Sequence, residues 1–248
     1  MSVAVPQPET NAFRVVDSGE FRSDLALRRE AKYALHGTDV GKVRDVLAGN
    51  LRRQIHNERV SRVRSIYFDD PGLSCCRANL AGLPSRRKLR VRWYDSPLPG
   101  TSFFLEVKWR ENQITGKRRQ QIQTDRPLTE FRFREIIRQI GECVADGDRI
   151  LAWQLIEPIV TVEYCREHFV SSDGELRFTL DYDLQFVDQT GRNQIASGFA
   201  TEASSFVLIE GKFPPGQAAE VQRLLHPLAP RISSSSKYVL GCELLGLV

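Results

Sequence analysis

In residues 85–94, basic and apolar side chains alternate. Arg86, Lys88, Arg90 and Arg92 fall on one face of an extended strand, and Leu89, Val91 and Trp93 on the other. Four cations on one face repel one another, modestly in water and strongly in a dry interior. Such a strand either turns its charges to solvent or faces a lumen holding a compensating anion, and that choice decides the fold.

The same division recurs along the chain. In 102–110, Glu106, Lys108 and Arg110 oppose Leu105, Val107 and Trp109, and in 27–35 Arg28, Glu30 and Lys32 share a face. In 175–181, Arg177, Thr179 and Asp181 oppose Leu176, Phe178 and Leu180; in 205–213, Glu210 and Lys212 oppose Ile209 and Phe213. Isolated buried charges are costly, so an inward orientation needs a ligand, and a polyanion with a divalent metal supplies one. Arginine and lysine neutralise phosphate oxygens, arginine two at a time, while the fewer carboxylates suit Mg²⁺ or Mn²⁺. Periodicity alone leaves the solvated outer face open as the alternative.

Further strands are expected over 59–69, 117–124 and 159–170, with a turn at Asp70-Pro71-Gly72. A helix is expected from a Thr38 N-cap through Val40, Val43, Val46 and Leu47, with others over 128–141 and 216–225 and a helical turn over 150–156. Many strands, few helices and no βαβ rhythm predict an α+β, mainly β protein. Its antiparallel sheet is expected to close as a barrel with a few flanking helices. A loose polar leader is expected over 1–24, and a single domain over 25–248.

Composition narrows the classes of function. The net charge is only +4, but basic residues arrive in bursts between Arg52 and Arg119, which points to an anionic ligand. No run of about 18 apolar residues exists, so no membrane span is expected, and the first residues lack the pattern of a secretory signal. A cytoplasmic location is the resulting expectation. The five cysteines include no Cys-x-x-Cys pair and are expected to be reduced, and the four histidines lack metal-ligand spacing. Trp93, Trp109 and Trp153 read as packing residues rather than a base-stacking platform, so no nucleic-acid partner is expected.

Several motifs, in order, resemble the polyphosphate polymerase (VTC) domain of the triphosphate tunnel superfamily, over most of the chain. Arg28-Arg-Glu-Ala-Lys-Tyr33 resembles that family's first strand, and Arg64-Ser-Ile-Tyr-Phe-Asp69 its second. Arg86-Arg-Lys-Leu-Arg-Val-Arg-Trp-Tyr94 is the most specific piece, followed by Phe104-Leu-Glu-Val-Lys-Trp-Arg110 and Lys117 in a Gly-Lys-Arg-Arg run. Tyr164-Cys-Arg166, Arg177-Phe-Thr-Leu-Asp181, Val207-Leu-Ile-Glu-Gly-Lys212 and Ser236-Lys237-Tyr238 complete the set.

The resemblance implies a tunnel in which Arg90, Arg92, Lys108, Lys117, Arg166, Arg177 and Lys237 hold phosphates in line for transfer. It adds Lys32, Lys88, Arg86 and Lys212 as phosphate-binding residues. Glu210, with Glu30 and Glu106, is nominated to hold Mn²⁺ or Mg²⁺. Glu163 and Asp181 are expected to orient arginines. The implied activity is transfer of the terminal phosphate of ATP to a growing polyphosphate chain. The alternatives are a metal-dependent triphosphatase and a non-catalytic binder of polyphosphate or nucleotide. Hydrolytic tunnel enzymes open with Glu-x-Glu-x-Lys, and here Arg28 takes the first place, which favours the polymerase branch. Protein partners are not indicated.

Overall fold

Each alternation of charged and apolar residues forms a strand, because extended backbone sends successive side chains to opposite faces. The computed structural model describes residues 12–17, 28–56, 58–112, 114–144, 154–203 and 206–248. The strands are β1 (Phe13–Asp17), β2 (Arg29–His36), β3 (Arg52–Gln54), β4 (Ser61–Asp69), β5 (Ser85–Tyr94) and β6 (Ser102–Glu111). They continue with β7 (Ile114–Thr124), β8 (Glu157–Val170), β9 (Arg177–Asp188), β10 (Thr201–Ala203), β11 (Phe206–Phe213) and β12 (Arg231–Ile232). The helices are α1 (Val40–Ala48), α2 (Ser74–Leu80), α3 (Phe133–Cys143), α4 (Ala218–Leu225) and α5 (Lys237–Leu244).

All these strands join one antiparallel sheet in the order β1-β7-β6-β5-β4-β8-β9-β11-β2-β12, with β10 added on β9 and β3 on β8. The mainly β, antiparallel expectation holds, but main-chain hydrogen bonds do not close the barrel. Among the described residues β1 and β12 end the order without pairing to each other. The sheet is nevertheless strongly curled. β2 and β6 lie six strand steps apart in that order, about 29 Å along a flat sheet at about 4.8 Å per step. Yet Glu30 on β2 and Lys108 on β6 meet at 3.4 Å. The face enclosed by this curl is the charged one.

The opposite face carries the apolar packing. Leu89, Val91, Leu105, Val107 and Ile122 are buried together with Ile136 and Ile140 of α3. Leu180, Val207 and Ile209 are buried with Val43 and Leu47 of α1 and Val221 of α4. The concave face is itself divided. Along β8, Val160, Val162, Tyr164 and Arg166 share that face, so it is apolar at one end and charged at the other. α5 seats on the apolar end: a Cβ at Gly241 would stand 2.6 Å from Phe186 and 3.3 Å from Val160, so only glycine allows this approach.

Several elements differ from the sequence reading. Part of the expected leader is β1, whose Phe13 is buried edge-on against Phe103 and Phe131. The α1 N-cap is Asp39 rather than Thr38, its Oδ1 accepting from the Gly41 amide at 2.6 Å. α3 starts at Phe133, after a separate 3₁₀ turn over Leu128–Glu130. β9 runs on to Asp188, and α2 and α5 were not anticipated. The helical turn expected over 150–156 and Trp153 lie largely outside the described residues.

Asp69 ties α2 and α5 to the sheet. It is fully buried at the end of β4; Oδ1 accepts from the amides of Asp70 and Cys75 at 2.9 and 3.0 Å. Oδ2 accepts from the Cys76 amide at 3.0 Å and from the Tyr238 hydroxyl at 2.6 Å. An alanine would strand these buried donors, so Asp69→Ala is expected to cost about 3 kcal/mol in urea unfolding. A change below about 0.5 kcal/mol, the usual range for surface substitutions, would mean that water replaces the carboxylate.

Candidate functional site

Strand register brings the sequence-nominated residues together in layers. Arg90 on β5 pairs with Glu106 on β6, which pairs with Arg119 on β7; one layer along, Lys88, Lys108 and Lys117 form the next row. Across the curl, Lys32 on β2 faces Glu210 on β11, and Glu30 faces Lys212. Directly opposed side chains on antiparallel strands stand on the same face, so all of these line the concave surface.

Glu106 sits in a nest of cations and is only 1% exposed. Its oxygens lie 2.6 Å from Arg90, 2.8 Å from Lys117, 3.5 Å from Arg119 and 3.8 Å from Arg92. Burial would raise its pKa, but Arg90, Arg92 and Lys117 hold the carboxyl far below the usual carboxylate range. Arg90 also donates to the Tyr67 hydroxyl at 2.7 Å, and Arg92 to Ser65 Oγ at 3.0 Å and the Tyr164 hydroxyl at 3.3 Å.

A second nest surrounds Asp181, which has no solvent exposure. Arg166 grips both its oxygens at 2.7 Å, and Lys237 reaches Oδ2 at 2.5 Å while standing 4.5 Å over the Tyr164 ring. Burial works against the charge of Arg166, but Asp181 raises its pKa well above the ordinary value. Asp181 thus orients a basic pair, as expected. Glu163 likewise grips Arg64 through both oxygens, at 2.8 and 2.6 Å, and meets Arg62 at 3.0 Å.

Glu30 and Glu210 are held more loosely. Glu30 meets Lys32 at 3.3 Å, Lys108 at 3.4 Å and Lys212 at 3.9 Å; Glu210 meets Lys212 at 3.9 Å. Their side chains are 30% and 17% exposed, unlike those of Glu106 and Asp181. Burial would raise the Glu210 pKa, yet Lys32, Arg166, Lys212 and Lys237 keep it well below its ordinary value. Glu210 is therefore an ionised oxygen donor that remains partly exposed.

Lys88 is surrounded differently. Its ammonium donates to Ser236 Oγ at 2.7 Å, and the charged groups that act on it most strongly are cations. Burial, together with Lys32, Lys108, Arg90 and Arg86, pushes its pKa down to about 7. Burial, opposed by Glu106, likewise brings Lys117 down to about 8. Arg86 lies opposite Arg110 at one end of the face, and Arg177 is exposed at the margin with Nε on the Gly174 carbonyl at 3.3 Å. Those two stand apart from the central nests.

Sequence reasoning did not single out Arg119, Tyr67, Ser65 or the Tyr164 hydroxyl. Arg119 follows Lys117 by two residues and therefore shares its face, a signal present in the strand period. The hydroxyls carry no charge, and only the fold shows which guanidinium each one meets. Among the described residues no three His, Cys, Asp or Glu side chains converge as a metal cage. No helix among them is long and apolar enough to cross a membrane.

Chemically, the face can hold a chain of negative oxygens at successive levels, with two loosely held carboxylates, Glu30 and Glu210, among the cations. The family model described as VTC domain matches residues 27–246. Comparison with curated proteins finds no match.

Two outcomes test this electrostatic arrangement. Glu106→Ala leaves its cations without their counter-ion and is expected to cost about 3–5 kcal/mol of stability in urea. Added tripolyphosphate should restore part of that loss, whereas a stability equal to wild type would remove Glu106 from this role. Lys88 supplies a pH signature. Its folded pKa, about 7, lies below the ordinary lysine value, so between these limits the unfolded chain holds a proton that the folded chain lacks. Its contribution to stability therefore rises with pH over that window. A bound polyanion favours the charged ammonium, so tripolyphosphate binding at pH 8 should take up protons, read as a buffer-dependent calorimetric enthalpy. Lys88→Met should reduce that uptake; an unchanged uptake would contradict the assignment.

Proposed function

The chain belongs to the VTC domain family, a family of polyphosphate metabolism, and we propose that it is a polyphosphate polymerase, transferring the terminal phosphate of ATP to a growing chain. The carrying observation is the charge balance of the concave face. Among the described residues, the basic Lys32, Lys88, Arg90, Arg92, Lys108, Lys117, Arg119, Arg166, Lys212 and Lys237 gather there with Glu30, Glu106, Asp181 and Glu210 against them. A polyanion is the ligand that such a surplus calls for. The Glu30–Lys108 ion pair and the Lys88–Ser236 hydrogen bond cross the curl where the ladder stays open, and these contacts support a tunnel enclosed by side chains.

Phosphoryl transfer depends on positioning and charge stabilisation more than on a covalent nucleophile. In this reading the Arg90–Arg92–Lys117–Arg119 nest and the Arg166–Lys237 pair hold acceptor and donor phosphates in line. A terminal oxygen of the acceptor attacks the γ-phosphorus, the bond from that phosphorus to the bridging oxygen breaks, and ADP leaves. The acceptor oxygen is already anionic, so no protein base is needed. Arg86 and Arg177 guide phosphates at the margin.

A divalent cation fits the loosely held carboxylates. Mg²⁺ and Mn²⁺ bind through one or two carboxylates plus substrate phosphates, which matches Glu210 with Glu30 nearby. The cation would offset phosphate charge and polarise the transferred group. Glu106, held by its cations, serves as an internal counter-ion rather than a ligand.

The test is incubation of the purified protein with ATP and Mn²⁺, resolving products by chain length on a gel. A ladder of long phosphate chains with ADP is expected. Orthophosphate alone would make the protein a triphosphatase, and unchanged ATP would make it a binder. Glu210→Ala is expected to lower turnover at least about 100-fold, the scale of lost transition-state charge stabilisation, in a variant that is less stable to urea but still folded without it. Normal turnover by that variant would remove Glu210 from metal binding.

A further inference from the structure

A second cavity opens beside the charged face. It is a cleft of about 290 Å³ between the end of β2, the C-terminal end of α2, the segment 233–236 and α5. Three of its lining residues also belong to the charged interior. Ser236 accepts the Lys88 hydrogen bond, Lys237 reaches Asp181, and Leu208 lies opposite Asp181 in the sheet. The cleft and the phosphate face thus share a wall.

Its own chemistry differs from that of the face. The lining combines apolar side chains, including Leu80 and Phe206, with the Asn79 amide, serine hydroxyls and the Glu243 carboxylate. Among the described lining residues Lys237 is the one lysine or arginine, and its ammonium is turned to Asp181. A phosphate chain would meet a carboxylate here and gain little. A flat heteroaromatic ring with a sugar would be matched better. His36 and Phe206 form an edge-to-face pair with centroids 5.0 Å apart, and the amide and carboxylate are groups that pair with base edges. The volume lies near the lower end of the range for small-molecule pockets, about 300–1,000 Å³, which suits a nucleoside.

We propose that this cleft seats the nucleoside of the nucleotide substrate, with the triphosphate passing Ser236 and Lys237 onto the charged face. The proposal rests on the phosphate-binding reading above and extends it to the base and sugar. It makes the protein discriminate a nucleoside triphosphate from inorganic triphosphate at a place beside the Asp181 nest, with which it shares Lys237.

The test is calorimetric titration of the full chain with ATP and, separately, with inorganic tripolyphosphate, for wild type and for His36→Ala and Asn79→Ala. Neither side chain is buried, so both variants should fold, and tripolyphosphate binding controls for this. Each variant is expected to weaken ATP about tenfold, the scale of one lost hydrogen bond or ring contact, while leaving tripolyphosphate unchanged. Unchanged ATP binding in both variants, with wild type binding both anions, would overturn the cleft alone. Equal weakening of ATP and tripolyphosphate would overturn it too. Wild type binding neither anion would overturn the phosphate-binding reading, and the cleft proposal with it.

Discussion

Like charges gathered on one concave face have to be offset from within, and Glu106 and Asp181 do this at two separate places. Two unit charges about 4 Å apart interact by about 4 kcal/mol at an effective dielectric constant near 20, comparable to the whole stability of a marginal domain. Each carboxylate also joins elements that are distant in sequence. Glu106 links β6 to β5 and β7, and Asp181 links β9 to β8 and to the start of α5. The counter-ions are thus part of the fold's connectivity. Cations remain in excess around them, which lets the empty protein hold together while still attracting further negative charge.

The division of the concave face completes this arrangement. The apolar end of β8 and β9 receives α5 through the close approach at Gly241, and the Tyr238 hydroxyl fastens that helix to Asp69. Tyr238 also stacks on Tyr67, with centroids 5.1 Å apart, and Tyr67 accepts from Arg90. Packing at the apolar end therefore positions two cations of the concave face, Lys237 directly and Arg90 through Tyr67.

Much of this was legible in the sequence because strand periodicity is local. The alternation of Arg86, Lys88, Arg90 and Arg92 with Leu89, Val91 and Trp93 fixes both a strand and its two faces, and the order of motifs fixed the family. Roles set by distant partners were not legible. Glu30, Glu106 and Glu210 look alike on their strands, yet only Glu106 is surrounded by four close cations once β5, β6 and β7 align. β1 stayed hidden because its short segment acquires meaning only against β7 and α3. α5 was masked by the serine run before it, which reads as a linker. Closure was overestimated, since the sheet curls far enough for Glu30 to meet Lys108 without its last strands pairing.

A crystal structure with tripolyphosphate and Mn²⁺ tests most directly the proposal that the concave face binds phosphate. Phosphates between Arg90, Arg166 and Lys237, with the metal on Glu210, are the expected result. Phosphate bound only on the outer surface, with the Glu106 and Asp181 ion pairs undisturbed and the concave face empty, would contradict it.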